Sequence, residues 1–439
     1  MTAWSPILLP ESKTAARARD AIKAITQAVT DYELSAPEKR RELSYQAALL
    51  YGYLAVIHND LEWADRAVES LNLAIDQAAQ QPGSLGLFGG LTGLGWTVEH
   101  LSALLRQVTA PADDEQASDL EASEIEEEED LNADIDALTL GSLKRTSIYD
   151  LISGLVGFGI YFLERWPKPT AVQGIRAVFD RLENLAEHTN QGITWLTGTE
   201  FLPDWQIKQA PKGYYNLGVA HGIPGIIHFL AQISTTTAVE PERSHRLLEG
   251  AVTWVIAQQR PWGARSRFPA WVVPGEEPSD SRLAWCYGDL GILAVLLQAA
   301  RRAGRKDWQA FAHDLLDHCL AWPPDDGDVG DAPLCHGAAG VAHIFNRIYQ
   351  SEGDPRCRDA AVFWLERALA MRKPETGVGG FSALTRPDPE GPVIWEANPA
   401  FLDGSIGIAL ALLAALSPVE PNWDRQLLLS EKHLQDDSK

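Results

Sequence analysis

The chain has 439 residues, 45% of them hydrophobic, with 15 tryptophans and a net charge of −23. So acidic a chain argues against a general nucleic-acid binder, which needs a basic surface over phosphate, while the apolar share is enough for a large core. The stretch from Met1 to Pro6 lacks the basic and then apolar start of a secretory signal, the apolar run from Ile406 to Leu416 is too short to cross a bilayer, and four cysteines make no disulfide framework, so the expectation is a soluble protein of the reducing cytoplasm with no transmembrane segment.

In chain order, Ser12 to Thr30 and Pro37 to Ile57 read as two helices, the second with Leu43, Ala47, Leu50, Tyr51 and Leu54 at helical spacing. Asp60 to Gln80 is a further amphipathic helix, ended by Pro82-Gly83, and the glycine-rich run from Gly86 to Gly95 leads into an apolar one. There follows a segment, about 108–147, that carries the tract Glu124 to Asp130. Thirteen acidic residues and no basic ones lie between Asp113 and Asp136, which leaves −10 for the rest of the chain. This segment has too much like charge to pack alone and is expected to be a mobile insertion.

The GxxG step at Gly90 to Gly93 then returns at Gly154, Gly222, Gly288, Gly337 and Gly404, each time opening an apolar helix, at separations of 64, 68, 66, 49 and 67 residues. Amphipathic helices such as Ile175 to His188 and Ala360 to Met371 fill the intervals. Apolar helices need burial on most sides and amphipathic ones cover them, so the pattern predicts an all-α protein: an α/α toroid of about seven inner and seven outer helices, with residues 1–439 forming one domain. A second interruption, Trp262 to Ser281, contains Pro269, Trp271, Pro274, Gly275 and Pro278 and is expected to be an ordered loop over one face of the ring.

Counting back one residue from the first glycine of each step gives His221, Tyr287, His336 and Asp403 in four units; one further back stand Cys286 and Cys335. If the inner helices run the same way, these loops meet at one end of the toroid. Cys286, Cys335 and His336 are soft ligands that suit one Zn²⁺ ion and leave a fourth tetrahedral position for water or substrate. Free N–H groups and the positive dipole end at helix starts favour thiolate there. The bland reading of the same residues is a buried cysteine beside a capping histidine. His221 has two readings, an N-terminal cap or a general acid–base group; Asp150, four residues before Gly154, either caps its helix or orients His221; Arg282, four before Cys286, is either a surface ion-pair partner or a donor to a developing oxyanion. Cys319 and Cys357 fall within outer helices and are assigned no chemistry.

Through Trp285-Cys286-Tyr287-Gly288, Cys335-His336-Gly337, Ala220 to Gly225 and the repeated glycine steps, the sequence resembles the lanthionine synthetase C-like family, over nearly its whole length. The resemblance implies a zinc-dependent lanthipeptide cyclase, with Cys286, Cys335 and His336 as metal ligands and catalytic roles for His221, Asp150, Arg282 and Tyr287. The implied reaction is an intramolecular Michael addition, in which a cysteine thiol of a dehydrated precursor peptide attacks dehydroalanine or dehydrobutyrine to close a thioether ring. Implied partners are that peptide, a lanthipeptide dehydratase and a transporter at the membrane. Two other readings stay open: addition of glutathione to dehydroamino acids, as in eukaryotic relatives, and a non-catalytic, zinc-stabilised peptide-binding scaffold.

Overall fold

The structure, a computed structural model, describes residues 4–35, 40–81, 83–108, 130, 132–261, 263–323, 325, 328–386 and 391–434. All of the acidic tract but Asp130 lies outside them. Among the described residues the helices are α1 (Lys13–Ser35), α2 (Arg40–His58), α3 (Leu61–Gln80), α4 (Leu91–Leu105), α5 (Ala133–Leu143), α6 (Leu155–Glu164), α7 (Pro169–Leu185), α8 (Asp204–Gln209), α9 (Ile223–Ile233), α10 (Pro241–Ala257), α11 (Asp289–Ala303), α12 (Lys306–Ala321), α13 (Ala338–Glu352), α14 (Pro355–Ala370) and α15 (Ser405–Leu416). Short strands also occur: β1 (Glu187–Thr189), β2 (Gly192–Thr194), β3 (Leu196–Thr197), β4 (Tyr214–Asn216), β5 (Trp271–Val272), β6 (Ala383–Thr385) and β7 (Ile394–Glu396). No described helix is long and apolar enough to cross a membrane.

The expected toroid is present. Helices α2, α4, α6, α9, α11, α13 and α15 each pack against the next, and α15 returns to α2, so the inner ring closes with seven members. Their composition explains the placement: every residue of α6 and α9 is buried, whereas α7 buries one stripe formed by Ala171, Ile175, Val178, Phe179 and Leu182. Seven helices cover the ring: α3 on α2, α5 on α4, α7 on α6, α10 on α9, α12 on α11, α14 on α13, and α1 on α15. The first helix therefore closes the outer layer over the last one.

Both glycines of the repeated step are needed by the loop itself. A Cβ at Gly154 would stand 2.4 Å from the carbonyl oxygen of Ile148, and one at Gly157 would stand 2.3 Å from that of Leu151; Gly340 and Gly407 meet the carbonyls of Leu334 and Phe401 at 1.9 and 2.1 Å. The loop curls so tightly that carbonyls seven residues upstream accept the first N–H groups of the helix, as in Leu155 N to Ile148 O (3.0 Å) and Ala338 N to Asp331 O (2.9 Å). The expected free N–H groups are thus largely taken by the loop.

Several boundaries and elements differ from the sequence reading. Residues 133–143, expected within the mobile insertion, form α5, which one acidic side chain anchors in the interior: Asp136 receives Arg165 Nη2 at 2.7 Å and the hydroxyls of Tyr161 and Thr170 at 2.6 Å each. Glu187 and His188, expected at the end of a helix, enter β1, which pairs antiparallel with β2. The interruption at 262–281 is ordered over its described residues, as expected, and also supplies β5, which pairs with β4 through Tyr215 opposite Val272 and Asn216 opposite Trp271.

Residues 419–434 enter the bore of the ring. Trp423 N donates to Tyr53 Oη at 2.9 Å, Trp285 Nε1 to Leu427 O at 2.7 Å and Gln298 Nε2 to Leu428 O at 2.8 Å. Asp424, 0% exposed, is bound by His343 Nε2 (2.7 Å) and Arg347 Nη2 (3.0 Å), and Arg425 donates to Glu164 at 3.0 Å. Burial pushes the Asp424 carboxyl up, but the Arg347 charge and the His343 hydrogen bond outweigh it and hold its pKa at about 2. Because that value lies below the roughly 3.9 of an unfolded aspartate, the stabilisation is present above about pH 4 and is lost as pH falls toward 2. Asp424→Ala is expected to cost about 3–5 kcal/mol, since it strands buried partners; a denaturant midpoint equal to that of the parent would contradict this.

Candidate active site

The inner helices deliver their N-terminal loops to one end of the toroid, where each loop is tied to its neighbour. Phe88 N donates to Ile152 O (3.1 Å), Leu151 N to Ala220 O (3.1 Å), Cys286 N to Cys335 O (3.2 Å), Cys335 N to Leu402 O (3.0 Å), and Phe401 N to Gln46 Oε1 on α2 (2.7 Å). Between the α9 and α11 loops the tie is steric. A Cβ on Gly218 would lie 2.6 Å from Cys286 O and 2.7 Å from the Tyr287 ring, so only glycine allows the two loops to meet. Gly288 adopts φ 126°, a region natural to glycine, and so sets the sharp turn after Cys286-Tyr287.

This rosette brings the ligand atoms of Cys286, Cys335 and His336 within 4.8 Å of one another, a group able to hold a metal ion. The three residues come from two loops, and the Cys286–Cys335 backbone bond fixes their spacing independently of the side chains. The Cys286 thiol pKa is well below the usual value: the hydrogen bond from Cys335 is the largest cause and outweighs burial, and His336 and Arg282 add to it. Cys335 shifts the other way through its hydrogen bond to Cys286, burial, and the charges of Cys286 and Asp403. Burial pulls the His336 pKa down, but its hydrogen bond to Cys286 and the nearby negative charges leave it raised.

A cavity of about 750 Å³ opens beside the cluster, lined by Arg282, Asp331, His336, Asp403 and, from the β6–β7 hairpin, Leu384 and Glu396. Burial raises the pKa of both Asp331 and Asp403, opposed by the charge of His336 in each case. Arg282 makes no ion pair within 4 Å among the described residues, and its charge acts on Cys286 and Asp331.

His221 Nδ1 donates to Asp150 Oδ2 at 2.6 Å, while Asp150 Oδ1 accepts Ser153 N–H at 2.9 Å. One Asp150 oxygen thus meets His221 and the other holds the loop before α6, whose first position has no side-chain cap, so Asp150 does not cap that helix. The His221 side chain is 44% exposed and does not cap its helix, whose first position has no side-chain cap. Its ring stacks at 6.3 Å on Tyr287, the residue after Cys286. Tyr287 is held in turn by Asn216 Nδ2 (3.2 Å) and the edge of Trp271 (6.2 Å), and burial pushes its phenol pKa up, so the hydroxyl keeps its proton. His221 and Asp150 are not in the lining of the large cavity; Tyr287 links them to the cluster.

The sequence reading assigned no role to Asp331, Asp403, Asn216 or Trp271. Asp403 occupied the informative register and was the one of these with a visible signal; Asp331 and Trp271 reach the site through hairpin and strand contacts that no local pattern announces. Cys319 and Cys357 are buried in α12 and α14, as expected for packing residues.

Comparisons with known proteins agree with this architecture. The family model described as lanthionine synthetase C-like protein matches residues 47–428. The glutathione S-transferase LANCL1 of Danio rerio is 27% identical over 140 residues, 32% of this chain and 32% of that protein, so the match spans about a third of the relative's length. Among solved structures, nisin cyclase superposes with a TM-score of 0.71 at 18% identity, over 93% of this chain and 97% of that one, a likeness of fold.

Proposed function

The chain belongs to the lanthionine synthetase C-like protein family, and from that premise we propose that it is a zinc-dependent lanthipeptide cyclase. The observation that carries this reading is the meeting of Cys286, Cys335 and His336 beside a cavity that His336 lines, with a second histidine, His221, stacked on Tyr287 next to Cys286. Two sulfurs and one imidazole are a zinc donor set, and donors within 4.8 Å of one another come near the spacing of about 3.3–3.8 Å that tetrahedral Zn–S and Zn–N bonds require. Zinc held by these three residues would supply the Lewis acidity that lowers the pKa of a substrate thiol.

The remaining work falls to the protein. The substrate is a dehydrated precursor peptide whose cysteine thiol gives up its proton to solvent and whose sulfur then bonds to the β-carbon of a dehydroalanine or dehydrobutyrine; the C=C bond becomes single and its electron pair moves toward the carbonyl. Arg282, with no ion pair among the described residues, offers its guanidinium to the resulting enolate oxygen. His221 uses Nδ1 on Asp150, which leaves Nε2 to deliver the proton to the α-carbon. Tyr287 fixes the plane of the His221 ring. The product is lanthionine or methyllanthionine. Such a substrate presupposes a dehydratase acting before this protein, and the export of a finished peptide presupposes a transporter; a cytoplasmic location fits the free cysteines.

The match to a protein named glutathione S-transferase favours one alternative, addition of glutathione sulfur to the same acceptor. A dehydrated peptide with free cysteines, incubated with the protein and equimolar glutathione, separates the two. Loss of alkylatable thiols without a mass change is the expected result. A mass gain of glutathione would support the alternative, and neither change would leave the scaffold reading.

A further inference from the structure

Asp331 is 2% exposed, and two of its three oxygens have partners. Its main-chain oxygen accepts Ala338 N–H at 2.9 Å and so curls the loop that carries Cys335 and His336. Carboxylate Oδ2 accepts Leu384 N–H at 3.0 Å and fastens the β6–β7 hairpin to that loop. Oδ1 is buried with no hydrogen-bond partner. A buried acceptor left unpaired costs about 1–3 kcal/mol, so a native protein that keeps one has a use for it in another state.

The matching donor stands on the same cavity wall. His336 turns one ring nitrogen to Cys286, and its other nitrogen has no hydrogen-bond partner among the described residues. Histidines that bind metals through one nitrogen nearly always donate the other N–H to an oxygen, which fixes tautomer and ring orientation. The second carboxylate nearby, Asp403, is engaged with the Cys335 sulfur, and Arg282 forms no ion pair with Asp331. We infer that Asp331 is a positioning residue for His336, accepting on Oδ1 the ring N–H that points away from the metal. This inference rests on the zinc reading of the cluster and extends it to a residue five positions upstream. One side chain would then join the hairpin wall of the cavity to the orientation of a metal ligand.

The two duties can be separated because asparagine has a single acceptor oxygen. Asp331→Asn retains the bond to Leu384 N–H but presents an NH₂ where His336 needs an acceptor; Asp331→Ala loses both bonds. Zinc affinity of the full-length protein, measured by competition with a chromophoric chelator, is expected to fall about 10–100-fold in the Asn variant. The melting temperature of the metal-free Asn variant should match the parent, and only the Ala variant should melt lower. The Co²⁺-substituted Asn variant should show a shifted ligand-field spectrum, which a role confined to fastening the hairpin would not produce. Parent-like zinc affinity and spectrum in the Asn variant, beside a weakened Ala variant, would overturn the inference and leave Asp331 as a hairpin latch. Absence of stoichiometric zinc binding by the parent would instead remove the metal reading, and this inference with it.

Discussion

Alanine in place of Cys286 or His336 is expected to strip the protein of zinc and to end ring closure with it. A structural zinc site of four ligands contributes about 10–16 kcal/mol, so removal of one ligand costs on the order of 3–4 kcal/mol, two to three orders of magnitude in affinity. The fold should survive, because the loops are joined by the Cys286 N to Cys335 O and Cys335 N to Leu402 O bonds, which no side chain at 286 or 336 supplies. Metal content by elemental analysis and thioether formation by mass spectrometry report the two losses separately. Cys319→Ala and Cys357→Ala serve as internal controls; both thiols are buried in the outer layer and should leave zinc stoichiometry unchanged. Ring closure at the parent rate by either metal-ligand variant would remove the basis for the proposed mechanism.

His221→Ala should produce a different phenotype: full zinc content with ring closure slowed by about 10²–10⁴, the usual worth of a positioned acid–base group. The His221 side chain is partly exposed and contributes no cap, so its removal should barely change stability. Reaction in D₂O gives a sharper readout. The parent should place deuterium on one face of the α-carbon, and the variant should lose that selectivity because solvent delivers the proton. Asp150→Asn is expected to behave as a milder version, since its Oδ1 can still accept Ser153 N–H while the other position can no longer accept His221 Nδ1–H. Loss of zinc from the His221 variant would make that residue a ligand and would require the roles to be redrawn.

The ring and most of its site were legible in the sequence because one feature, the glycine step, is both periodic and structurally obligatory. Gly157, Gly291, Gly340 and Gly407 each sit against a carbonyl six residues upstream, so the step marks the loop geometry directly and the residues before it share one end of the toroid. The aspartates were harder to read. Asp136 looks like the end of an acidic linker until Arg165, itself fully buried, is seen to bind it. Asp424 and Arg425 look like surface charges of a tail, and only His343, Arg347 and Glu164, far away in sequence, make them interior. The placement of α1 over α15 was equally hidden, because an amphipathic stripe states that a helix covers something without stating what.

The segment that enters the bore also has a meaning in time. Trp285, the residue before Cys286, hangs its indole on the carbonyl of Leu427, 142 residues later, and Tyr53 waits for Trp423, 370 residues later. During synthesis the inner helices up to α13 must therefore emerge with an unfilled interior, holding apolar faces and buried charges without their partners. Contacts of such sequence separation form slowly, which lengthens the interval in which a chaperone would find something to hold. The loop that carries Cys286 is therefore completed only after the last inner helix has been made.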